Sequence, residues 1–211
     1  MVRRGDDLLS LYQLAYALFL PGFQRQLLGD AAVAIADGLP GAMRSRLLLE
    51  TQGRSPLAAI SGMEQRLFLG ERLLRDTDAA SMAASIEVRL PLVDQVLLEN
   101  VGRLPDDARY GPLGKKSLLR RIGLRGLDPG LFERPKSGFV MPFDRWIRAG
   151  LGKVMDQVMR DPAAVTPTGL NAATVQRLWQ AYLDGAPGIY WTRVWAIYVF
   201  IRWCHRHGAY L

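Results

Sequence analysis

Two short stretches of the chain hold the residue types that ionic group-transfer chemistry needs. The first runs Asp78-Ala79-Ala80-Ser81-Met82-Ala83-Ala84-Ser85-Ile86-Glu87-Val88-Arg89-Leu90-Pro91-Leu92-Val93-Asp94. Its four alanines would let another element approach a helix closely. Glu87 and Arg89 stand at a change from helix to extended chain, because a residue before proline, here Leu90, is driven out of the α region. Set among apolar neighbours, these charges read as buried. They can pair with each other and pin the corner, or face a substrate, and the local chemistry permits both. Asp94 is placed to cap the helix that follows.

The second stretch is Glu133-Arg134-Pro135-Lys136-Ser137-Gly138-Phe139-Val140-Met141-Pro142. Pro135 restricts the approach to Lys136, and Gly138 beyond it permits a hinge. On a closing loop Lys136 would be a point charge able to stabilise negative charge developing on a transferring phosphoryl or adenylyl group. A solvated basic loop is the plainer alternative. A third stretch, Gly114-Lys115-Lys116-Ser117-Leu118-Leu119-Arg120-Arg121, offers a basic helix start beside an anion site or simply a solvated helix face. It is not a P-loop, because no glycine stands five positions before Gly114.

The elements that must position these groups are helical. An apolar pattern from Leu8 to Ala15 follows Asp6-Asp7 and ends before Pro21-Gly22, and a short helix through Phe23 to Leu28 is expected next. Turns at Gly38-Leu39-Pro40-Gly41 and Gly53-Arg54-Ser55-Pro56 bracket a helix over Ala42 to Thr51. Met63 to Ile86 predicts two helices broken near Gly70. Further helices are expected after Asp94, over Lys115 to Ile122 and over Phe143 to Val158. Between Gly123 and Pro142, recurring glycine and proline predict an irregular, mobile loop. Asn171 and Gly185 bracket a helix over Ala172 to Asp184, and Tyr190 to Cys204 forms the last, read as buried. Almost nothing alternates with period two, so the chain is expected to be mainly α.

Composition narrows the function classes. With 49% apolar and 22% charged residues over 211 positions, the chain can bury a core. Its single cysteine, Cys204, excludes an intrachain disulfide or a thiolate metal cluster and suits a reducing compartment. No signal-peptide pattern follows Met1, and Val194 to Cys204, interrupted by Arg202, is far shorter than the roughly 20 apolar residues of a membrane span. A cytoplasmic protein without membrane partners is expected. Of the net charge of +7, six units lie between Lys115 and Arg148, a field that attracts anions without naming them. Trp179, Tyr182, Tyr190, Trp191, Trp195, Tyr198, Phe200 and Trp203 read as packing. His205 and His207 have no second cluster to complete a metal site, so no metal ligands are expected in this chain.

Taken in order, these pieces resemble the C-terminal part of the synthetase domain of the glutamine-hydrolysing asparagine synthetase family, and the resemblance runs nearly end to end. The family pattern D-R-x-S-M-A-x-S-x-E-x-R-x-P-x-L-D is met by Asp78, Ser81, Met82, Ala83, Ser85, Glu87, Arg89, Pro91 and Asp94, with departures at Ala79 and Val93. The pattern R-x-K-x-G-F-x-x-P is met by Arg134, Lys136, Gly138, Phe139 and Pro142. Gly114 to Arg120 is similar to the family's G-K-x-x-L-R with a shift to Lys116.

The resemblance implies the helical portion of an adenine-nucleotide α-hydrolase-like (ATP pyrophosphatase) α/β domain, with its parallel sheet largely missing and all of residues 1–211 in one C-terminal portion. It implies adenylation of a small carboxylate substrate by ATP with Mg, then amide formation with ammonia from glutamine. Lys136 takes the catalytic role. Asp78, Ser81, Glu87, Arg89 and Asp94 form the site wall, with Lys115, Lys116, Arg120, Arg134 and Gly138 supporting the loop and anion site.

The family's N-terminal nucleophilic cysteine, serine-glycine-glycine pyrophosphate loop and S-G-E-G-x-D-E stretch do not occur in the sequence. Met1 is therefore expected to fall after the ATP-binding sheet, which makes the chain a fragment, a split-gene half or a degenerate copy. Its partners would be the ATP-binding and glutaminase regions, in cis or in trans, and the isolated chain is expected to be inactive, with apolar faces exposed where the sheet is missing. Two alternatives remain: an amide ligase or cyclase of the same family acting on a peptide or polysaccharide precursor, and a non-catalytic basic helical module. Nucleic-acid binding belongs to that last reading and is not expected under the first.

Overall fold

The computed structural model describes residues 8–34, 38–112, 116–132 and 141–210. Among them every regular element is a helix, in keeping with a mainly α chain. They fall into two compact units, Met1–Arg44 with Gly138–Leu211, and Ser45–Ser137.

The first unit contains α1 (Leu8–Tyr16), α2 (Pro21–Leu28) and the start of α3 (Gly41–Thr51). After residue 137 it adds α9 (Phe143–Trp146), α10 (Gly152–Met159), α11 (Pro162–Val165), α12 (Ala172–Leu183) and α13 (Trp191–His207). Three of these helices supply most of the core. Met155 and Met159 of α10 meet Val175, Leu178, Trp179 and Tyr182 of α12, and Val194, Ile197 and Ile201 of α13. The α12 set recurs at three- and four-residue spacing, one stripe of a helix. Burying Trp179 and Tyr182 contributes about 1.5–3 kcal/mol for each side chain.

Local chemistry sets the ends of these helices. Asn171 Oδ1 accepts the Thr174 N–H at 2.9 Å to start α12, and Gly185, at φ +70°, stands just past its last turn. The same corner is tied to α2: the Asn171 N–H donates to Leu27 O at 2.8 Å, and Thr174 Oγ1 to Gln26 O at 3.1 Å.

The second unit is differently built. Ser55 caps α4 (Pro56–Met63), Pro56 occupying the first helical position, and its hydroxyl also donates to Asp106 of α7 (Asp106–Tyr110). From α4 the chain does not break near Gly70. It continues through a π-wound segment, Glu64–Leu74, into α5 (Arg75–Met82). The wider winding brings the carbonyl of Gln65 to 3.2 Å from where a Cβ on Gly70 would lie, so a glycine that read as a breaker instead sits where the helix widens.

Beyond α5, Ser85 lies at φ 57°, with Ser85 N–H donating to Met82 O and Ile86 N–H to Ser81 O, a Schellman ending with serine in the position usually held by glycine. The α6 helix (Gln95–Gly102) follows, then α7 and α8 (Ser117–Gly123). Three apolar side chains of this unit are buried among the described residues: Leu47, Ala59 and Met63.

The aromatic series divides. Trp179 and Tyr182 are buried, whereas Tyr190 and Trp203 are exposed, so not all of the series is packing. Likewise α13 buries Val194, Ile197, Ile201 and Cys204 but turns Val199, Phe200 and Trp203 outward, which corrects the expectation of a buried helix.

Candidate functional site

Most of the sequence-marked residues that are described belong to the Ser45–Ser137 unit, and the chain from α5 to α6 carries five of them. Asp78 is exposed on α5, and Ser81, one turn later, donates its hydroxyl to Asp78 O at 3.3 Å. After the turn at Ser85, Arg89 Nε donates to Glu87 Oε1 at 2.9 Å. The side chains of this pair are 83% and 70% exposed, Arg89 first, so the charges that read as buried are a solvent-facing pair. Asp94 Oδ1 accepts the Leu97 N–H at 2.8 Å and starts α6, as its position before Gln95 implies.

An ion pair between residues two apart places both on one side of an extended chain. From Glu87 to Leu90 the backbone enters neither a helix nor a strand among the described residues. Glu87 and Arg89 therefore share a solvent-accessible side, and Val88 between them is itself 46% exposed. Lys116, at φ 49°, precedes α8, and Arg120 is exposed on that helix. Lys115, Arg134, Lys136 and Gly138 lie outside the described residues.

A second charged cluster in the same unit went unread in the sequence. Glu50 accepts Arg46 Nε at 2.9 Å, Arg66 Nε at 3.0 Å and Arg66 Nη2 at 2.8 Å. The bonds from Arg66, and next those from Arg46, hold the Glu50 carboxyl below its ordinary range. Glu50, Arg54, Gln65 and Arg66 line a cleft of about 390 Å³. The spacing of Arg46 and Glu50 on one helix is legible, but Arg66 arrives from the next helical segment, a tertiary pairing that no local pattern announces.

The other unit has a carboxylate of its own. Asp144 Oδ1 accepts the Tyr182 hydroxyl at 2.7 Å, and its Oδ2 accepts Arg148 Nε at 2.9 Å. Burial first, then this bond, raises the Tyr182 pKa above its ordinary value, so the phenol stays a donor. Packed among core aromatics, the group is a structural tie. His205 Nε2 donates to Ala164 O at 2.7 Å, which occupies one nitrogen of the histidine once considered as a ligand.

Three clefts formed by described residues of the second unit are lined by none of Asp78, Ser81, Glu87, Arg89 or Asp94. Among the described residues no group of three or more His, Cys, Asp and Glu is gathered to hold a metal. No helix among them is long and apolar enough to cross a membrane. What the corner presents is an accessible carboxylate and guanidinium beside a fixed helix start.

Comparison with known proteins gives this arrangement a lineage. A family model described as asparagine synthase matches residues 8–205. Proteins named putative asparagine synthetase [glutamine-hydrolyzing] from Mycobacterium tuberculosis and Mycobacterium bovis are 28% identical over 156 residues, covering 73% of this chain and 23% of theirs. Asparagine synthetase [glutamine-hydrolyzing] 1 of Bacillus subtilis is 24% identical over 135 residues, covering 64% of this chain and 21% of its own. The chain thus spans less than a quarter of the length of these curated relatives. No solved structure matches. With the model matched from α1 nearly to the end of α13, the chain belongs to the asparagine synthase family.

Proposed function

We propose that this chain is the C-terminal helical portion of an ATP-dependent carbon–nitrogen ligase of asparagine synthase type. In that reaction a carboxylate is adenylated with release of pyrophosphate, and ammonia derived from glutamine displaces the adenylate to form an amide. The observation that carries the reading is the Asp78–Asp94 corner, where Glu87 and Arg89 of the family pattern pair on an accessible surface inside the matched region.

The described residues do not themselves fit a nucleotide with Mg²⁺. They gather no carboxylate cluster, and the corner lines no enclosed cleft. Those functions are assigned to a sheet-containing region of the ligase, and ammonia supply to a glutaminase region. This chain contributes the polar wall: Glu87 and Arg89 orient the substrate side of the corner, and Asp94 fixes the helix behind it. Lys136 supplies positive charge where negative charge develops.

Pyrophosphate release with ATP and a carboxylate substrate tests the proposal. The chain alone is expected to release none above background. Combined with the missing regions it is expected to turn over, and Lys136→Ala to lose about 100-fold or more. Unchanged turnover in that variant would remove the role given to Lys136.

A further inference from the structure

Within the Ser45–Ser137 unit two clefts of about 390 and 320 Å³ adjoin, and Arg54, Gly62 and Gln65 line both. Arg54 is set between two helix ends. Gly53, at φ +72°, turns the chain out of α3, the Arg54 N–H donates to Thr51 O at 3.2 Å, and Ser55 then starts α4. The backbone is thereby held, yet the Arg54 guanidinium has no hydrogen bond or ion pair among the described residues. Arg109 of α7 lines the smaller cleft with it. The Arg109 guanidinium lies 4.8 Å from the centre of the Tyr110 ring, its Nε is enclosed without a partner, and its Nη1 reaches only Gly102 O, at 3.5 Å. An enclosed donor without an acceptor calls for one.

The acids nearby do not supply it. Glu50 is already bound by Arg66 and Arg46, and Glu99, the other acid of the lining, accepts from Gln95 Nε2 at 2.8 Å. Counting Arg46 through Glu50, four guanidiniums stand against two carboxylates, which leaves two positive charges. Between the clefts Gly62 keeps the surface of α4 open, since a Cβ there meets nothing within 4 Å.

We propose that the adjoining clefts form a binding site for a small phosphate-class oxyanion, held by Arg54 and Arg109. Guanidinium forks match phosphate oxygens in pairs, and a dianionic phosphate balances the two positive charges. Gln65 offers a neutral amide donor beside them, its Nε2 being only loosely engaged by Ser61 Oγ at 3.5 Å. The site uses none of Asp78, Ser81, Glu87, Arg89 or Asp94 and stands independently of the ligase reading.

The test is isothermal titration calorimetry of the full chain, at fixed ionic strength, with inorganic phosphate, glycerol 3-phosphate and succinate. Saturable one-to-one binding of both phosphates is expected, with succinate about tenfold or more weaker because its charges sit on two separate planar groups. Tighter binding of the ester assigns the site to a phosphorylated metabolite, and tighter binding of the free anion assigns it to inorganic phosphate. Arg54→Gln should weaken phosphate binding about tenfold or more, as should Gly62→Leu, which fills the open space with a better helix former. Arg75→Gln, which removes the same charge from an exposed pair with Glu71 in the same unit, should not. Far-UV circular dichroism that matches the parent chain verifies that each variant is folded.

No saturable binding overturns the proposal, and so does binding that Arg54→Gln and Gly62→Leu leave intact. Equal weakening by Arg75→Gln assigns the binding to the general basic field of the chain, and succinate as tight as phosphate assigns it to carboxylates. Either result rejects the site as proposed.

Discussion

Trp179 donates its indole N–H to Asp156 Oδ1 at 2.7 Å, and Arg160 Nε reaches the same oxygen at 2.6 Å, so one carboxylate of α10 fixes the largest side chain of α12. Trp179 is 1% exposed, while the Asp156 side chain that receives its N–H is 42% exposed. Asp156→Ala should cost about 1–2 kcal/mol, the loss of a hydrogen bond to a charged group whose place water can partly take, while Asp156→Asn, which keeps an acceptor oxygen, should cost less. Urea unfolding followed by tryptophan fluorescence measures both. Equal losses would mean that the indole bond contributes little.

Acid should loosen the same unit. Bonds from Trp179 and then Arg160 hold the Asp156 carboxyl below its ordinary range, and bonds from Tyr182 and then Arg148 do so for Asp144. Both carboxyls titrate lower in the folded chain than in the unfolded. Their stabilisation is thus complete above the unfolded pKa of about 3.9 and is lost as pH falls through the folded values. The urea midpoint should drop on acidification below about pH 4, and Asp144→Asn/Asp156→Asn should flatten that drop.

Ser85 pays a backbone penalty at φ 57° that glycine would avoid. Ser85→Gly should stabilise the end of α5 by up to about 1 kcal/mol, because the Schellman bonds to Met82 O and Ser81 O already shape the chain for it. Thermal unfolding reads this as a rise of about 2–4 °C. A lower midpoint would show that the Ser85 hydroxyl contributes more than the backbone penalty.

How much of this was legible depends on how local the cause is. Asp94 and Asn171 were readable as caps because a cap is settled within four residues, and the structure gives each its expected backbone N–H. The break at Gly70 was misread: a π-wound helix keeps the same helix-forming residues as an α-helix, and only the approach of the Gln65 carbonyl distinguishes it. Glu87 and Arg89 read as buried because of their apolar neighbours, yet those neighbours are themselves exposed. Burial is set by what packs against a segment, which local sequence does not contain. For the same reason no local pattern announces the Glu50–Arg66 pairing, and Tyr190 and Trp203 read as packing although both are exposed.

Two nearby glycines should respond in opposite directions to alanine. A Cβ on Gly152 would run into the carbonyl oxygen of Ile147, brought close by the π-wound turn Ile147–Leu151, whereas a Cβ on Gly150 meets nothing within 4 Å. Gly152→Ala should cost about 1–3 kcal/mol through overpacking, and Gly150→Ala should gain up to about 1 kcal/mol from helix propensity. Chemical denaturation of the two variants distinguishes them, and equal tolerance would place the wider turn elsewhere.

The Glu87–Arg89 pair separates a structural tie from a site wall. As an exposed pair, 70% and 83% accessible, it should contribute less than about 1 kcal/mol, so Arg89→Ala should unfold within that margin of the parent chain. Substrate orientation makes a different demand: in a reconstituted ligase of the proposed type, Arg89→Ala should reduce pyrophosphate release about 100-fold, and Arg89→Lys should restore only part of it, because an ammonium lacks the guanidinium's planar fork. Stability and turnover measured on the same two variants decide the matter. If both quantities fall together and lysine restores both, the pair is holding the corner's shape; if turnover alone falls, the guanidinium is acting on the substrate side.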